Sequence, residues 1–178
     1  SFFFKKKNFF EITELKLLIK TIKKIEPDLI IALGGGCVLD YAKVANVFLD
    51  DENIERNIIN SNFNFKKKSA PLIAIPTTAG SGAEVTPFAV MYIGKLKYSV
   101  EHKLVKPDYF FVIPELVLSG GKKLKASTGF DAIAQALESM ISIKSNEKSI
   151  KFSEKSLRLS IPNYINFIKN PTKENSYK

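Results

Sequence analysis

The chain has 178 residues, of which 45% are hydrophobic and 25% are charged, and its formal net charge is +9 at pH 7. This length suits one domain with a substantial core and is short for two. The composition excludes a disordered chain, and no apolar run approaches the roughly 20 residues of a membrane-spanning helix. A single cysteine, Cys37, and a single histidine, His102, exclude a disulfide framework and a zinc site built only from these residue types. We therefore expect a cytoplasmic protein with no membrane partner.

The positive charge is carried almost entirely by lysine, because Arg56 and Arg158 are the only arginines. The lysines are spread along the chain and form no aromatic-rich stripe, whereas nucleic-acid binders usually cluster basic residues and use arginine. We therefore expect no nucleic-acid partner. The chain starts with Ser1 and a run of phenylalanines and ends in a polar stretch, so we interpret it as an internal segment of a longer protein.

The first elements in chain order alternate between helix and strand. Apolar residues recur at helical spacing from Ile12 to Ile25, and Pro27 ends that pattern. Residues 29–33 form a continuous apolar run, which predicts a strand buried on both faces. Three glycines follow it directly, and helical spacing resumes over residues 38–49. Helix, strand, glycine turn and helix in this order indicate an α/β layer with a parallel sheet.

The second half of the pattern continues this layer and then changes character. A polar loop over residues 50–69 leads to a second strand over 72–75, and a hairpin is predicted around Gly94 and Lys95. Residues 109–113 predict another strand. Two helices follow, over 129–141 and 147–160, with no further strand. We therefore predict an α/β domain over 1–118 and the start of a helical domain over 119–178.

Glycines and hydroxyls follow the two predicted strands where a parallel sheet binds its ligands. Gly34, Gly35 and Gly36 stand between a strand and a helix, where the backbone can approach a phosphate and the helix N-terminus offers free N–H groups. A tight turn without a ligand explains the glycines equally well. Thr77, Thr78 and Ser81 follow the next strand. Because ligands of open sheets bind at the carboxyl ends of strands, the two loops together favour a nucleotide.

A carboxylate and an amide share one face of a predicted helix further on. Asp131 and Gln135 are four residues apart, and Glu138 lies next along the same stripe. Such a pair can hold a metal ion, bind a substrate hydroxyl or simply bind each other. Spacing alone favours the last of these.

Three sequence blocks taken together resemble the iron-containing alcohol dehydrogenase family. They are Gly34-Gly35-Gly36 with Asp40, Ala42 and Lys43; the run from Pro76 through Thr86; and the run from Thr128 through Ala132 with Leu137 and Glu138. The resemblance implies a Rossmann-like parallel sheet of the dehydroquinate synthase-like fold, followed by the start of an all-helical domain. It also implies an NAD(P)-dependent oxidoreductase, a possible homodimer, that acts on a small alcohol or aldehyde with a divalent metal, iron or zinc, as Lewis acid.

Residue roles follow from the same resemblance. Asp131 matches the first carboxylate ligand of the family's metal and, with Gln135, forms the predicted catalytic and metal set. The predicted NAD or NADP contacts are Gly34, Gly35, Gly36, Asp40, Thr77, Thr78, Ser81, Thr86 and Lys97. Within this set the glycines hold the pyrophosphate, and Lys97 approaches the nicotinamide ribose.

Three residues of this chain differ from or bear on the family pattern, and one of them weakens the predicted metal site. Gln135 stands where a typical member has a histidine, and a neutral amide is a weaker ligand for zinc or iron(II), so this ligand is weak or lost. Cys37 replaces a usual serine, and we interpret it as a small helix-start residue. His102 is interpreted as a surface or cap histidine.

The sequence around Asp131 and Gln135 resembles the phosphonoacetaldehyde reductase branch of the family. This resemblance implies reduction of phosphonoacetaldehyde to 2-hydroxyethylphosphonate. We expect the 178-residue chain alone to be inactive. The alternatives are a nucleotide-binding remnant without catalysis and a relative that acts on sugar acids or other alcohols.

Overall fold

The computed structural model describes residues 1–5, 11–49, 51 and 53–177, which form two compact units. The first unit comprises Ser1–Pro76 and Ala83–Val112, and the second comprises Thr77–Gly82 and Ile113–Lys178. The α/β unit contains α1 Ile12–Ile25, β1 Ile30–Gly34, α2 Gly36–Ala45, α3 Ile54–Ile59, β2 Leu72–Pro76, β3 Phe88–Ile93, β4 Leu96–Glu101 and β5 Tyr109–Phe110. The helical unit contains α4 Lys122–Ile141, α5 Glu147–Lys169 and α6 Lys173–Ser176.

The first helix has the sequence features of an amphipathic surface helix. Leu15, Ile19 and Ile22 are its buried residues. Lysines occupy its last turn, where the negative end of the helix dipole stabilises a positive charge. These side chains join Val44 and Phe48 in the main hydrophobic cluster of the unit. The helix predicted over this stretch is confirmed.

The predicted parallel sheet is present, with strand order β1-β2-β5. Strand β1 pairs with β2 in parallel, from Ile30 opposite Leu72 to Gly34 opposite Pro76. The two strands therefore end side by side, and their carboxyl ends point to the same edge of the sheet. Strand β5 pairs with β2 through only two residues, so it is shorter than predicted.

Strand β1 is buried on one face only, which corrects the prediction of a strand buried on both. Ala32 faces helix α2 and is 5% exposed, whereas Ile31 is 59% and Leu33 is 56% exposed. The difference arises because, among the described residues, helix α2 covers the face that carries Ala32. An apolar run by itself cannot tell which of its faces has a neighbour.

The hairpin around Gly94 and Lys95 is confirmed, and β3 pairs with β4 antiparallel from Phe88 opposite Glu101 to Ile93 opposite Leu96. Gly94 has a φ of +60°, a backbone conformation that favours glycine. The loop predicted over 50–69 contains the short helix α3, whose Ile54 and Ile58 are buried. Residues 50 and 52 of that loop lie outside the described residues.

The helical unit is built on the antiparallel contact of α4 with α5. A β-carbon on Gly129 would lie 2.2 Å from the ring of Tyr164, so the close approach of the two helices requires glycine there. The Tyr164 hydroxyl donates to the carbonyl of Ala126 at 2.6 Å, which fixes the ring. Helix α5 starts at a capping box made by Asn146 and Ser149.

The division of the chain differs from the predicted boundary near residue 118. The helical unit starts at Ile113, and it also contains the separate segment Thr77–Gly82. Helix α4 starts at Lys122, seven residues before its predicted start at 129, because the pattern of apolar residues is weak over its first turns. The local sequence composition could not predict that the Thr77–Gly82 turn, which lies between two segments of the α/β unit, packs with the helical unit.

Candidate functional site

The glycine turn forms the junction of β1 and α2 at the carboxyl edge of the parallel sheet. A β-carbon on Gly34 would lie 2.6 to 2.9 Å from atoms of the Val38 side chain, so glycine lets the strand run directly into the helix. Gly35 is the N-cap of α2, and Gly36 is its first residue. The first N–H groups of a helix have no acceptor within the helix and lie at the positive end of its dipole. The turn therefore offers backbone donors for an anion.

Cys37 lies in the first turn of α2, half-buried. Burial raises the pKa of its thiol, with Asp40 and Glu14 acting in the same direction, and these outweigh the opposing effect of Lys5. The thiol is therefore protonated near neutral pH, which agrees with the interpretation of Cys37 as a small helix-start residue rather than a reactive nucleophile.

The Thr77–Gly82 turn follows β2 directly and packs in the helical unit. A β-carbon on Gly80 would lie 2.2 Å from the carbonyl oxygen of Thr128, so the turn touches the backbone of α4. Thr77 and Thr78 line a cavity of about 350 Å³ in this unit. Ser81, half-buried, belongs to the same turn.

This cavity was not predicted from the sequence. Its remaining walls come from Val117, Leu124, Thr128 and other residues of the helical unit, including Ser160. Within the described residues, Ser160 Oγ is the one buried side-chain oxygen or nitrogen without a hydrogen-bond partner. A mostly apolar cavity with a few polar groups is typical of a small-molecule site.

Asp40 and Thr86 are predicted cofactor contacts that the structure brings to the same buried cation. Asp40 is 8% exposed, and Lys43, three residues later on α2, is 1% exposed. Lys43 Nζ lies 3.3 Å from Asp40 Oδ1 and 3.5 Å from Thr86 Oγ1. Burial raises the pKa of Asp40 and lowers that of Lys43, while their mutual attraction opposes both changes. Lys43 belongs to the first block of the family resemblance, but the sequence did not predict its burial. The signal for it is a lysine among apolar helix residues, three positions after an aspartate.

Asp131 and Gln135 lie on the same face of α4, as the spacing predicts, and both are exposed. Gln135 Nε2 donates to Asp131 Oδ2 at 2.8 Å. In the part of the chain that the structure describes, no group of three histidine, cysteine, aspartate or glutamate residues could hold a metal ion. One carboxylate and one neutral amide are fewer ligands than an iron or zinc site requires. These residues alone therefore do not fit a complete metal site.

The remaining predicted residues lie in the α/β unit. Lys97 is exposed on β4, opposite Tyr92. His102 caps the short 3-10 turn Lys103–Val105, and its Nδ1 accepts the backbone N–H of Leu104 at 3.2 Å. The interpretation of His102 as a cap histidine is confirmed.

A parallel sheet with a glycine turn at the end of one strand, and with a hydroxyl-bearing turn after its neighbour, defines an α/β protein of the nucleotide-binding type. The particular family follows from comparison with known proteins. The family model described as iron-containing alcohol dehydrogenase matches residues 7–114, and the chain belongs to this family.

Individual relatives are similar over most of this chain. The long-chain-alcohol dehydrogenase 1 of Geobacillus thermodenitrificans is 34% identical over 145 residues, which is 76% of this chain and 37% of the relative. The phosphonoacetaldehyde reductase of Streptomyces viridochromogenes is 31% identical over 151 residues, 80% of this chain and 38% of the relative. The crystal structure of sulfoacetaldehyde reductase from Bifidobacterium kashiwanohense, in complex with NAD+, superposes with a TM-score of 0.86 at 29% identity. It covers 93% of this chain and 45% of the other.

The predicted fold class is confirmed by these comparisons. The chain nevertheless spans less than half the length of each of these relatives. No helix among the described residues is long and apolar enough to cross a membrane.

Proposed function

We propose that this chain is the cofactor-binding part of an NAD(P)H-dependent reductase that converts a short aldehyde into the alcohol. The observation that supports the proposal is the parallel pairing of β1 with β2, in which Gly34, the first glycine of the turn, lies opposite Pro76 at the carboxyl ends of the two strands. Family membership supports it, and so does the NAD+ held by the similar sulfoacetaldehyde reductase.

The residues of this chain have distinct roles in that proposal. The backbone N–H groups at Gly35 and Gly36 bind the pyrophosphate, because these residues form the N-terminus of α2, which is the positive end of the helix dipole. The hydroxyls of Thr77, Thr78 and Thr86 donate to oxygens of the cofactor. The bound nicotinamide supplies the hydride for reduction.

Further polar groups complete this set. Ser81 and Lys97 also contact the cofactor, and Asp40 acts indirectly because its carboxylate oxygens are occupied by Lys43 and by the N–H of Val90. Asp131 and Gln135, which are both exposed on α4, orient the substrate through their carboxylate and amide groups. If a metal ion binds in the full-length protein, Asp131 supplies one ligand, and the others come from outside the described residues.

An aldehyde that carries a phosphonate or sulfonate group is the substrate class we favour. Two of the similar proteins are named for reduction of phosphonoacetaldehyde and of sulfoacetaldehyde, in which one methylene group separates the aldehyde from a strong anion. The sequence around Gln135 also resembles the first of these. We propose phosphonoacetaldehyde as the substrate and 2-hydroxyethylphosphonate as the product. The 178-residue chain alone has no activity in this proposal, and a homodimer and a cytoplasmic location remain predictions.

The test is cofactor oxidation by the full-length protein, followed at 340 nm. Phosphonoacetaldehyde, sulfoacetaldehyde, acetaldehyde and butanal are each offered with NADH or NADPH, with and without a chelator. We expect the two anionic aldehydes to have the higher kcat/KM. Oxidation of NADH or NADPH with the neutral aldehydes but not with the anionic ones would contradict the proposed substrate class. Cofactor binding by calorimetry without oxidation of any aldehyde would leave the nucleotide-binding remnant as the function.

A further inference from the structure

A fully buried lysine links the helix of the glycine turn to the segment that carries Thr86. We propose that Lys43 is a positioning residue for cofactor binding: its ammonium group holds Ala83–Phe88 against α2, so that the Thr86 hydroxyl keeps a defined place relative to the glycine turn. This inference rests on the proposed function and deepens it. Lys43 itself touches neither cofactor nor substrate, since its side chain is 0% exposed.

The hydrogen bonds of Lys43 join both ends of that segment. Its Nζ donates to the carbonyl of Ala83 at 2.9 Å and to the carbonyl of Phe88, while Thr86 lies between these two residues. Asp40 Oδ1 lies 3.3 Å from the same Nζ. Asp40 Oδ2 accepts the backbone N–H of Val90 at 2.9 Å, which ties β3 to the same helix.

The segment between Ala83 and Phe88 has no helix or strand of its own. Its conformation therefore depends on the contacts made at its ends. A buried ion pair contributes little to stability compared with apolar side chains of equal volume, and it specifies geometry in some proteins. An ammonium group has three N–H donors and no acceptor, so it can bind the backbone carbonyls of Ala83 and Phe88 and has one donor left for the longer contacts with Asp40 and Thr86. The two carbonyls fix two points of the backbone of this segment.

The contact with Thr86 has a chemical consequence. Lys43 carries only donors, so the hydroxyl 3.5 Å away accepts from it and directs its own hydrogen elsewhere. Thr86 then presents a donor, which suits phosphate or ribose oxygens of a dinucleotide. Because α2 begins at Gly36, the helix carries the pyrophosphate site at one end and the Lys43 anchor further along.

The experiment compares steady-state kinetics of the full-length protein and its variants Lys43→Met, Asp40→Asn and Thr86→Val. Lys43→Met should raise the KM for NADH or NADPH about tenfold, the loss expected for one or two hydrogen bonds. The KM for the aldehyde and the kcat at saturating cofactor should stay within about threefold. Thr86→Val should show the same split. The double variant Lys43→Met with Thr86→Val should raise the KM for the cofactor no further than the more strongly affected of the two single variants. This is expected because both changes disrupt the same contact.

Val44→Ala is the matched control, because Val44 is the next residue on α2 and is fully buried in the hydrophobic cluster. It should lower the unfolding temperature and leave the KM for the cofactor unchanged. If Lys43→Met does not fold, Asp40→Asn tests the positioning role instead. This variant keeps an acceptor for the N–H of Val90 and removes the charge that pairs with Lys43. It should raise the KM for the cofactor about threefold.

Two negative results have different meanings. An active wild type whose cofactor KM is unchanged by both Lys43→Met and Asp40→Asn, or changes only as much as in Val44→Ala, would overturn the positioning role alone. A wild type that neither binds nor oxidises the cofactor would overturn the proposed function together with this inference.

Discussion

The contact between α4 and α5 at Gly129 allows a sharp test of the packing described above. In Gly129→Ala the new methyl group would lie 2.2 and 2.4 Å from two ring carbons of Tyr164. The ring cannot turn aside freely, because the Tyr164 hydroxyl is bound to the carbonyl of Ala126. The helices must therefore separate, or the ring must give up its hydrogen bond.

The expected magnitude is the sum of two opposing effects. Alanine is better than glycine in a helix by about 1 kcal/mol. Overpacking a fixed contact costs about 1 to 3 kcal/mol, and contacts this short belong to the upper part of that range. We therefore expect Gly129→Ala to lower the free energy of unfolding by about 1 to 2 kcal/mol. An effect of this sign is opposite to what helix propensity alone predicts.

Urea denaturation followed by circular dichroism at 222 nm measures this change. The control is Ser127→Ala on an exposed position of the same helix, which should be neutral or raise the stability by a few tenths of a kcal/mol. In a Tyr164→Ala background the ring is absent, so Gly129→Ala should instead stabilise by about 1 kcal/mol. Equal effects of Gly129→Ala in the two backgrounds would refute the steric account.

Three further changes test other parts of the structure. Gly80→Ala would place a methyl group 2.2 Å from the Thr128 carbonyl oxygen, so the Thr77–Gly82 turn would have to move. We expect cofactor binding, measured by calorimetry, to weaken by at least about tenfold. An unchanged affinity would contradict this placement of the turn. Asn46→Ala should lower the free energy of unfolding by about 2 to 4 kcal/mol in urea, because its side chain makes three hydrogen bonds to the backbone near β2, and a loss below 1 kcal/mol would disprove their importance. The pKa of Asp108 is affected first by burial, which raises it, but hydrogen bonds from Lys68 and a backbone N–H, with the attraction of Lys68, lower it below its ordinary value of 3.8 overall. Its contribution to stability, about 1 kcal/mol or less for a partly exposed pair, is therefore present above that value and lost as the pH falls through the folded-state pKa. Asp108→Asn should be less stable than wild type at pH 7, and the difference should shrink as the pH falls below 3.8; a difference that does not shrink in acid would argue against the ion pair.

Several features of the fold were predictable because they depend on neighbours along the chain. Gly34 to Gly36 end a strand and open a helix through backbone freedom that only glycine has, and the turn at Gly94 follows the same logic. The helical spacing that starts at Ile12 likewise needs no distant partner to be recognised. The family could be recognised for the same reason, since each of the three blocks that carry the resemblance is a short continuous stretch.

Other features depend on which surfaces meet, and these only the tertiary structure decided. The burial of Lys43 results from a segment forty residues away along the chain that folds over α2. The exposure of Ile31 depends on the absence of a packed neighbour among the described residues. The place of the Thr77–Gly82 turn in the helical unit follows from the contact of Gly80 with Thr128. Local patterns record how a stretch can fold, whereas burial, ion pairing and cavity walls are properties of two stretches at once.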